Sequence, residues 1–232
     1  MIARRIEGVR SRIACAAQRS GRNPDEVSLL AVTKTVRPGI IAEAVEAGQP
    51  LFGENYAQEA GDKIPSLARL HPGLIWHFIG HLQTNKAGLA LELFDCIETL
   101  DNVKLAEALD RRAKAADKRL PVLIQVNIGE DPGNSGVSPG LLPEFLTRLA
   151  DFSNLDISGL MTITPLSDNP EDARCWFRSL RELRDKTARE TGIFLRDLSM
   201  GMSHDFELAV EEGATIVRVG SEIFGPRGHD HV

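Results

Sequence analysis

The sequence alternates short apolar segments with longer amphipathic ones, and this alternation is the feature that most limits how the chain can fold. Eight segments have the length and apolar content of β-strands: 28–34, 51–55, 75–79, 95–100, 121–128, 156–163, 196–201 and 215–220. Helix-like segments lie between them, at 37–47, 102–118, 141–152, 170–191 and 204–212. Strands that alternate with helices form parallel sheets through right-handed βαβ units.

Eight such units predict a single closed (β/α)8 TIM barrel, for which about 250 residues is typical; this α/β chain has 232. An open, doubly wound sheet is the alternative, although no Gly-x-Gly-x-x-Gly motif follows the first strand, as it does in dinucleotide-binding sheets. Ile2, Ile6, Val9 and Ile13 share one helical stripe. They predict an additional N-terminal helix, which we expect in the position of the eighth outer helix. We expect one domain spanning residues 1–232.

Charge and composition limit which partners the protein can bind and in which compartment it can function. The net charge of −6 gives no electrostatic reason to expect nucleic-acid binding. No apolar run approaches the roughly 20 residues that span a membrane, and the first residues lack the continuous apolar core of a secretory signal. Cys15, Cys96 and Cys175 are isolated from one another in the sequence. They predict free thiols in a reducing cytoplasm, without a disulfide framework or a zinc site.

Lys34 closes the first predicted strand, Ser28-Leu-Leu-Ala-Val-Thr-Lys34, and its ammonium group is costly to bury. Such a lysine is either an end-of-strand residue whose amine reaches water or a chemical reagent. Burial makes the proton easier to lose, and the free amine can form a Schiff base with a carbonyl substrate or with pyridoxal phosphate. Lys34 alone leaves both interpretations open.

Polar side chains also stand at or near the carboxyl ends of other predicted strands. Asn55 closes the second strand, and strand alternation turns His77, Asn127 and Arg218 away from their apolar neighbours and into the barrel. Each of these residues alone is typical of a hydrogen-bonded core group. Together with Lys34 they gather at the end of the barrel where sites are built in this fold.

Two turns late in the sequence are typical of phosphate sites. The segment 198–203 leads from the seventh strand toward a helix, with Ser203 predicted as the N-cap. After the eighth strand, Gly220 lets a ligand approach the backbone and Ser221 adds a hydroxyl group beside main-chain amides. Either turn alone also fits simple chain geometry. Loops after strands seven and eight are the common phosphate site of such barrels, so their placement opposite Lys34 predicts a phosphorylated aldehyde cofactor.

The same residues carry a resemblance to a known family. The blocks are Ala31-Val-Thr-Lys-Thr35, Phe52-Gly-Glu-Asn-Tyr56, Trp76-His-Phe-Ile-Gly80 with Leu82-Gln-Thr-Asn-Lys86, Leu198-Ser-Met-Gly-Met-Ser203, and Val217-Arg-Val-Gly220 with Ile223-Phe-Gly225. In content and order they resemble the signature blocks of the YggS/PROSC family, the pyridoxal phosphate homeostasis proteins. They run through nearly the whole chain.

The resemblance implies a barrel like the N-terminal domain of alanine racemase, a fold type III pyridoxal phosphate protein. It implies pyridoxal 5′-phosphate (PLP) held as a Schiff base on Lys34, with Arg218 approaching the pyridine nitrogen and the two late turns holding the phosphate. Members influence vitamin B6 and amino-acid balance without an established reaction, so no catalytic residue and no metal ligand is predicted. The predicted cofactor-binding residues are Lys34, Asn55, His77, Ser199, Gly201, Ser203, Arg218, Gly220 and Ser221.

Two positions depart from the family pattern. His81 stands where members commonly carry proline, and Asn134 stands where they often have a lysine. Neither position belongs to the block around Lys34. The role of that second lysine is therefore not carried over to this chain.

Two functions fit such a site: a PLP-binding protein that buffers or delivers the cofactor, or an amino-acid racemase of the alanine racemase type. A pyridoxal enzyme uses the cofactor ring as an electron sink, which the cation of Arg218 beside the pyridine nitrogen would weaken. Racemisation also needs a second acid/base opposite the lysine. Alanine racemases supply a tyrosine and a C-terminal domain, whereas the single tyrosine here is Tyr56 and His77 or His204 would have to substitute. We therefore favour the binding protein.

A metal or phosphosugar enzyme is the third alternative. His77 and His81 are four residues apart but fall across a strand end, and His229-Asp-His231 lies in a predicted frayed terminus. Under the favoured function, the partners are PLP and apo forms of PLP-dependent enzymes. We expect a cytoplasmic monomer.

Overall fold

The computed structural model describes residues 1–165 and 167–225, and within them eight parallel strands form one closed barrel. The strands are β1 (Ser28–Val32), β2 (Leu51–Glu54), β3 (Ile75–Phe78), β4 (Cys96–Leu100), β5 (Leu120–Gln125), β6 (Leu155–Met161), β7 (Asp197–Ser199) and β8 (Ile216–Val219). Each strand pairs with the next one in the sequence, and β8 pairs with β1 to close the barrel, with Leu30 beside Arg218. The predicted (β/α)8 fold and the eight predicted strands are confirmed.

Helices surround the barrel. In the described part of the chain they are α1 (Ile2–Arg19), α2 (Pro38–Glu46), α3 (Ala57–Leu70), α4 (Ala87–Leu93), α5 (Val103–Ala115), α6 (Leu142–Leu149), α7 (Asp172–Thr191), α8 (Phe206–Glu211) and α9 (Ser221–Phe224). Helix α1 contacts α2 and α8, so it takes the eighth outer position, as predicted. None of these helices is long and apolar enough to cross a membrane.

The barrel wall sorts apolar side chains into two clusters by alternation along the strands. In β1, Leu29 and Ala31 belong to the outer cluster, beneath the helices. The inner cluster consists of Leu30, Val32, Ile79, Cys96, Leu123, Met161 and Ile216. Because Val217 and Val219 belong to the outer cluster, Arg218 lies on the inner face, as predicted.

Several strands end one to three residues earlier than predicted, which moves their polar end residues into turns. The Val36 amide donates to the Thr33 carbonyl at 2.9 Å, so Lys34 lies in a tight turn after β1. Asn127 follows β5, and its Nδ2 donates to the Asp131 carbonyl at 2.7 Å. Asn127 therefore holds the loop after β5.

Candidate cofactor site

A cavity of about 230 Å³ opens where strands β1, β2, β3 and β8 end. Its lining residues are Val32, Lys34, Asn55, Ile79, Ile163, Met202, Ser203, His204, Arg218, Gly220 and Ser221. Six of the predicted site residues are in this lining: Lys34, Asn55, Ser203, Arg218, Gly220 and Ser221. Residues far apart in the sequence thus meet around one space.

One wall of the cavity is built from hydroxyl and amide groups after β7 and β8. Ser203 Oγ lies 3.1 Å from Ser221 Oγ and 3.4 Å from the Gly220 amide nitrogen. A Cβ atom at Gly220 would lie 3.2 Å from the Val32 carbonyl oxygen, so glycine keeps the backbone close to the end of β1. Helix α9 starts at Ser221, and the first amides of a helix have no intrahelical acceptor. We call Ser203, Gly220 and Ser221 the hydroxyl cradle; its donors suit the oxygen atoms of an anion.

Ser203 is free for this cradle because the cap of α8 is a different residue. Helix α8 begins at Phe206 with Asp205 at the N-cap position, so the prediction that Ser203 is the cap was wrong. The chain makes one more turn than expected, since the Phe206 amide donates to the Met202 carbonyl at 2.9 Å. Asp205 Oδ1 accepts the Met202 amide at 2.6 Å. Burial nevertheless raises the pKa of Asp205, against the opposing effects of this hydrogen bond and of the Arg218 charge.

Arg218 forms the floor of the cavity. Its Nη1 donates to Ser199 Oγ and its Nη2 to the Thr162 carbonyl, each at 2.7 Å. Burial lowers the pKa of Arg218, and the charges of Glu98 and Asp205 oppose that shift. Arginine starts from so high a pKa that it keeps its proton in proteins. The floor is therefore a fixed cation.

Glu98 lies below this floor and is fully buried. Its Oε1 is 2.6 Å from His77 Nδ1, and its Oε2 accepts the Ser199 hydroxyl at 2.6 Å. Burial alone would raise the pKa of Glu98, but the hydrogen bond and attraction to His77, with the charge of Arg218, lower it overall. Glu98 is therefore an ionised counterion to the floor. We call His77, Glu98, Ser199 and Arg218 the floor network.

Three predicted site residues thus lie outside the cavity lining. His77 and Ser199 belong to the floor network and orient Arg218 from below. Gly201 accepts the Arg218 amide at 3.0 Å through its carbonyl group. Its φ of 90° and the 2.5 Å that would separate a Cβ from Ala209 Cβ require glycine there. These residues support the site from the second layer.

Asn55 supplies an observation that points to a ligand. Its Oδ1 is buried and accepts no hydrogen bond within the described residues. Leaving a buried amide oxygen without a donor costs roughly 1–3 kcal/mol. A ligand donor in the cavity would remove that cost. With the Lys34 amine, the cationic floor and the hydroxyl cradle, the residues fit a small anionic ligand that carries a carbonyl group.

Sequence reasoning missed the acidic half of the floor network. Glu98 stands alone in the otherwise apolar and neutral strand Cys96-Ile-Glu-Thr-Leu100, on the same inner face as Cys96. A single acidic residue on the inner face of a strand indicates a buried cation nearby, and the sequence already placed Arg218 on the inner face. The two opposite charges on inner faces were the signal that could have revealed Glu98. The lining residues Val32, Ile79, Ile163 and Met202 carried no such signal, because apolar residues at strand ends are common.

The histidines do not assemble a metal centre in the described part of the chain. His77 is held by Glu98, whereas His81 is exposed and borders a neighbouring cavity. No group of three or more His, Cys, Asp or Glu side chains suited to a metal ion occurs in residues 1–165 and 167–225. His229 and His231 lie outside the described residues.

The sequence matches known proteins over nearly its whole length. Residues 6–228 match the family model for the alanine racemase N-terminal domain. The pyridoxal phosphate homeostasis protein of Aquifex aeolicus is 45% identical over 223 residues, which cover 96% of this chain and 97% of that protein. The pyridoxal phosphate homeostasis protein of Escherichia coli K12 is 41% identical over 234 residues, with 98% and 97% coverage.

Solved structures show the same relationship. PipY of Synechococcus elongatus, solved with PLP bound, superposes with a TM-score of 0.87 at 38% identity, covering 97% of this chain and all of that one. PipY without PLP gives the same TM-score at 39% identity. An alanine racemase of Clostridium difficile superposes with a TM-score of 0.71 at 15% identity, over 89% of this chain and 57% of that chain. At this identity the likeness shows the shared fold alone.

Proposed function

The chain belongs to the alanine racemase N-terminal domain family and, within it, to the pyridoxal phosphate homeostasis proteins, and on that premise we propose that it binds PLP and maintains the supply of this cofactor. The observation that carries the function is that Lys34, the hydroxyl cradle and the Arg218 floor line one and the same cavity. A phosphorylated aldehyde needs an amine for its aldehyde group and hydrogen-bond donors for its phosphate group. PipY, the relative solved with PLP bound, supports the identity of the ligand.

Each end of the cavity would hold one part of PLP. The Lys34 amine would condense with the aldehyde to a Schiff base, forming a carbon–nitrogen double bond and releasing one water. Ser203, Gly220 and Ser221 would donate to the phosphate, and Arg218 would face the pyridine nitrogen. Asn55 Oδ1 would accept a ligand donor. His77, Ser199 and Gly201 would act from the second layer by fixing Arg218 and the turn before α8.

The chemistry of the floor favours holding PLP over using it. PLP supplies an electron sink when its pyridine nitrogen is protonated. The floor network presents a guanidinium whose own counterion, Glu98, lies below it. A cation beside the pyridine nitrogen disfavours a second positive charge there. The site thus supports a reversible store of a reactive aldehyde, which can be released to the lysine of an apo-enzyme.

A racemase is the second candidate function, and the position of His204 is the observation that supports it. His204 lines the cavity, whereas Tyr56 is 58% exposed and borders the neighbouring cavity. His204 is therefore the candidate for the acid/base opposite Lys34. Under this alternative, the loaded protein exchanges the Cα proton of alanine with solvent deuterium, and His204→Gln abolishes the exchange. A homeostasis protein shows no exchange in either form.

The test of binding is the visible absorption of the protein with PLP, followed by borohydride reduction and peptide mass spectrometry. Wild type is expected to show a Schiff-base band and a reduced adduct on Lys34. Lys34→Ala is expected to lose both. Glu207→Ala, on the outer surface of α8, is the matched control and should behave as wild type. A wild type with no band and no adduct contradicts cofactor binding.

The test of homeostasis is delivery to an apo-enzyme. A PLP-dependent apo-enzyme is mixed either with the loaded protein or with the same concentration of free PLP, and its recovery of activity is followed. Delivery predicts faster recovery with the loaded protein, or equal recovery that survives a phosphatase which consumes free PLP. Recovery that is slower than with free PLP and is lost with phosphatase contradicts delivery.

We extend the same proposal to the setting of the protein. Residues 1–232 act as one PLP-binding domain and as a monomer, with apo-enzymes as partners in the cytoplasm. Cys15 and Cys175 are exposed free thiols, and such thiols persist in a reducing compartment. Sedimentation of the loaded protein tests the monomer.

A further inference from the structure

The turn that carries Lys34 has an unusual backbone. The Val36 amide donates to the Thr33 carbonyl, which makes Lys34 and Thr35 the central residues of a β-turn. Thr35 has a φ of 63°. A positive φ at the second central residue is the pattern of a type II turn, where glycine is usual. A β-branched residue is strained in this region, so contacts outside the turn must hold it.

Those contacts come from a cluster on α3 and at the end of β2, in which Glu54 and Lys63 are buried and Glu59 is partly exposed. Glu59 Oε1 accepts the Thr35 amide at 2.7 Å, which fixes the strained residue. Lys63 Nζ donates to the Thr33 carbonyl at 2.8 Å and to Glu54 Oε1 at 3.0 Å. Lys63 also pairs with Glu59 at 2.5 Å, one helical turn away. We call Glu54, Glu59 and Lys63 the turn clamp.

Two of the three members of the turn clamp are too deeply buried to form an ordinary surface ion pair. The side chains of Lys63 and Glu54 are 7% and 0% exposed. Glu54 also accepts the Thr33 hydroxyl at 2.7 Å. Burying two charges for stability alone gains little, because desolvation offsets their attraction. The clamp holds both residues that flank Lys34, and this points to the placement of the Lys34 amine as its role.

We propose that Glu54, Glu59 and Lys63 are positioning residues, which hold the Lys34 turn in its strained conformation and so direct the Lys34 amine into the cavity. This inference rests on the proposed function, in which that amine bonds to PLP. The proposal explains why the strained φ at Thr35 is maintained, since a relaxed turn would let the Lys34 amine leave the cavity. The clamp touches neither the hydroxyl cradle nor the floor network in its hydrogen bonds.

Binding of two ligands distinguishes a loss of Lys34 positioning from general damage to the cavity. PLP needs both the cradle and the Lys34 amine, whereas pyridoxine 5′-phosphate has the same ring and phosphate but an alcohol in place of the aldehyde. In Glu59→Ala, the dissociation constant of PLP is expected to rise about tenfold, within the range of backbone strain. That of pyridoxine 5′-phosphate should change by less than about twofold. Glu59→Gln retains an oxygen acceptor for the Thr35 amide and should recover most of the loss.

A relaxed turn provides the rescue. Glycine adopts positive φ without strain, so Thr35→Gly should make the turn independent of the clamp. In the Thr35→Gly background, Glu59→Ala and Lys63→Met are each expected to cost less than about twofold in PLP affinity. Glu207→Ala is the matched control, because Glu207 is also a partly exposed helical carboxylate bound to a cation, Arg12. It should leave the binding of both ligands unchanged.

The outcomes are distinguishable. Equal loss of both ligands in Glu59→Ala, no loss of either, or a loss that Thr35→Gly fails to rescue overturns the clamp while wild-type binding at Lys34 stands. If wild type itself forms no adduct on Lys34, the proposed function fails. The clamp is then decided without cofactor, by acetylating the protein with acetic anhydride and measuring modification of Lys34. An unchanged rate in Glu59→Ala overturns it, and a rate changed several-fold and restored by Thr35→Gly supports it.

Discussion

Two buried glutamates flank the cavity, and their environments shift their pKa values in opposite directions. Glu98, under the floor, has a partner for each oxygen, His77 for Oε1 and Ser199 for Oε2. Glu54, in the turn clamp, receives Thr33 and Lys63 on Oε1, while its Oε2 has no partner in the described residues. The pKa of Glu98 is lowered and that of Glu54 is raised.

The comparison shows what decides the charge of a buried carboxylate. Burial is the largest influence on both and raises both pKa values. For Glu98, two hydrogen-bond partners and the Arg218 charge outweigh it. For Glu54, Lys63 and Thr33 do not outweigh it, and the neighbouring carboxylate of Glu59 adds to the rise. In the floor network a buried carboxylate of lowered pKa is linked to the Arg218 guanidinium through Ser199, whereas in the clamp burial raises the pKa of Glu54.

Removing the Arg218 cation should have the largest effect. Arg218→Met leaves the Glu98 charge buried without the cation that Ser199 links to it, and the Thr162 carbonyl without its donor. We expect a loss of about 3–5 kcal/mol in the free energy of unfolding. Urea denaturation at neutral pH measures it. Arg196→Met is the control, because the Arg196 side chain is 68% exposed where it pairs with Asp197; it should cost less than about 1 kcal/mol. Similar losses in the two variants would mean that burial does not strengthen the interactions of Arg218.

Removing Lys63, the cation of the turn clamp, should lower the free energy of unfolding by less than removing Arg218 does. In Lys63→Met, Glu54 can avoid an unpaired buried charge by taking up a proton, because burial already raises its pKa. We expect a loss of about 2 kcal/mol near neutral pH, and a smaller loss near pH 5, where protonation is easier. Urea denaturation at the two pH values measures both. A loss as large as that in Arg218→Met, and independent of pH, would show that Glu54 stays charged.

The pH dependence of stability should separate the two glutamates by sign. Relative to an ordinary value of 4.5, the folded pKa of Glu98 is lowered; its stabilisation is complete above about pH 4.5 and is lost as the pH falls through the folded pKa. The folded pKa of Glu54 is raised, so stability falls as the pH rises from about 4.5 through that pKa. The advantage of wild type over Glu98→Gln should therefore grow with pH, and its advantage over Glu54→Gln should shrink. Parallel trends in urea denaturation across this range would contradict the assigned shifts.

The fold follows from the sequence because alternation and periodicity are local. The eight strands are recovered in order, and the inward direction of Arg218 follows from Val217 and Val219 alone. Strand ends are less predictable: Lys34 and Asn127 continue an extended pattern, but turn hydrogen bonds remove both from the sheet. Helices α3, α4 and the short α9 had no predicted counterpart. In α3, Pro65 weakens the helical pattern.

The site is recovered only in part, because strand alternation gives the face of a side chain and not its partners. It placed Arg218 inside the barrel but did not reveal that Glu98 balances it from another strand. Lys63 was overlooked for the same reason, since a lysine on an amphipathic helix normally faces water. Its burial depends on Glu54 and the turn at Thr33, contacts made only once β1, β2 and α3 have packed.

A third charged cluster, in which the cations are exposed, gives the smallest expected effect. Glu212 is buried, but the arginines that pair with it, Arg174, Arg178 and Arg181, are 28%, 52% and 34% exposed. Arg174→Met should lower the free energy of unfolding by about 1 kcal/mol or less. In about 1 M salt, where the screening length is about 3 Å, this loss should vanish, while the loss in Arg218→Met persists because Glu98, below the floor, is fully buried. Urea denaturation at low and high salt makes the comparison. If salt relieved Arg218→Met as fully as Arg174→Met, salt ions would screen the Glu98 charge, and the contrast between a buried network and a screened surface cluster would fail.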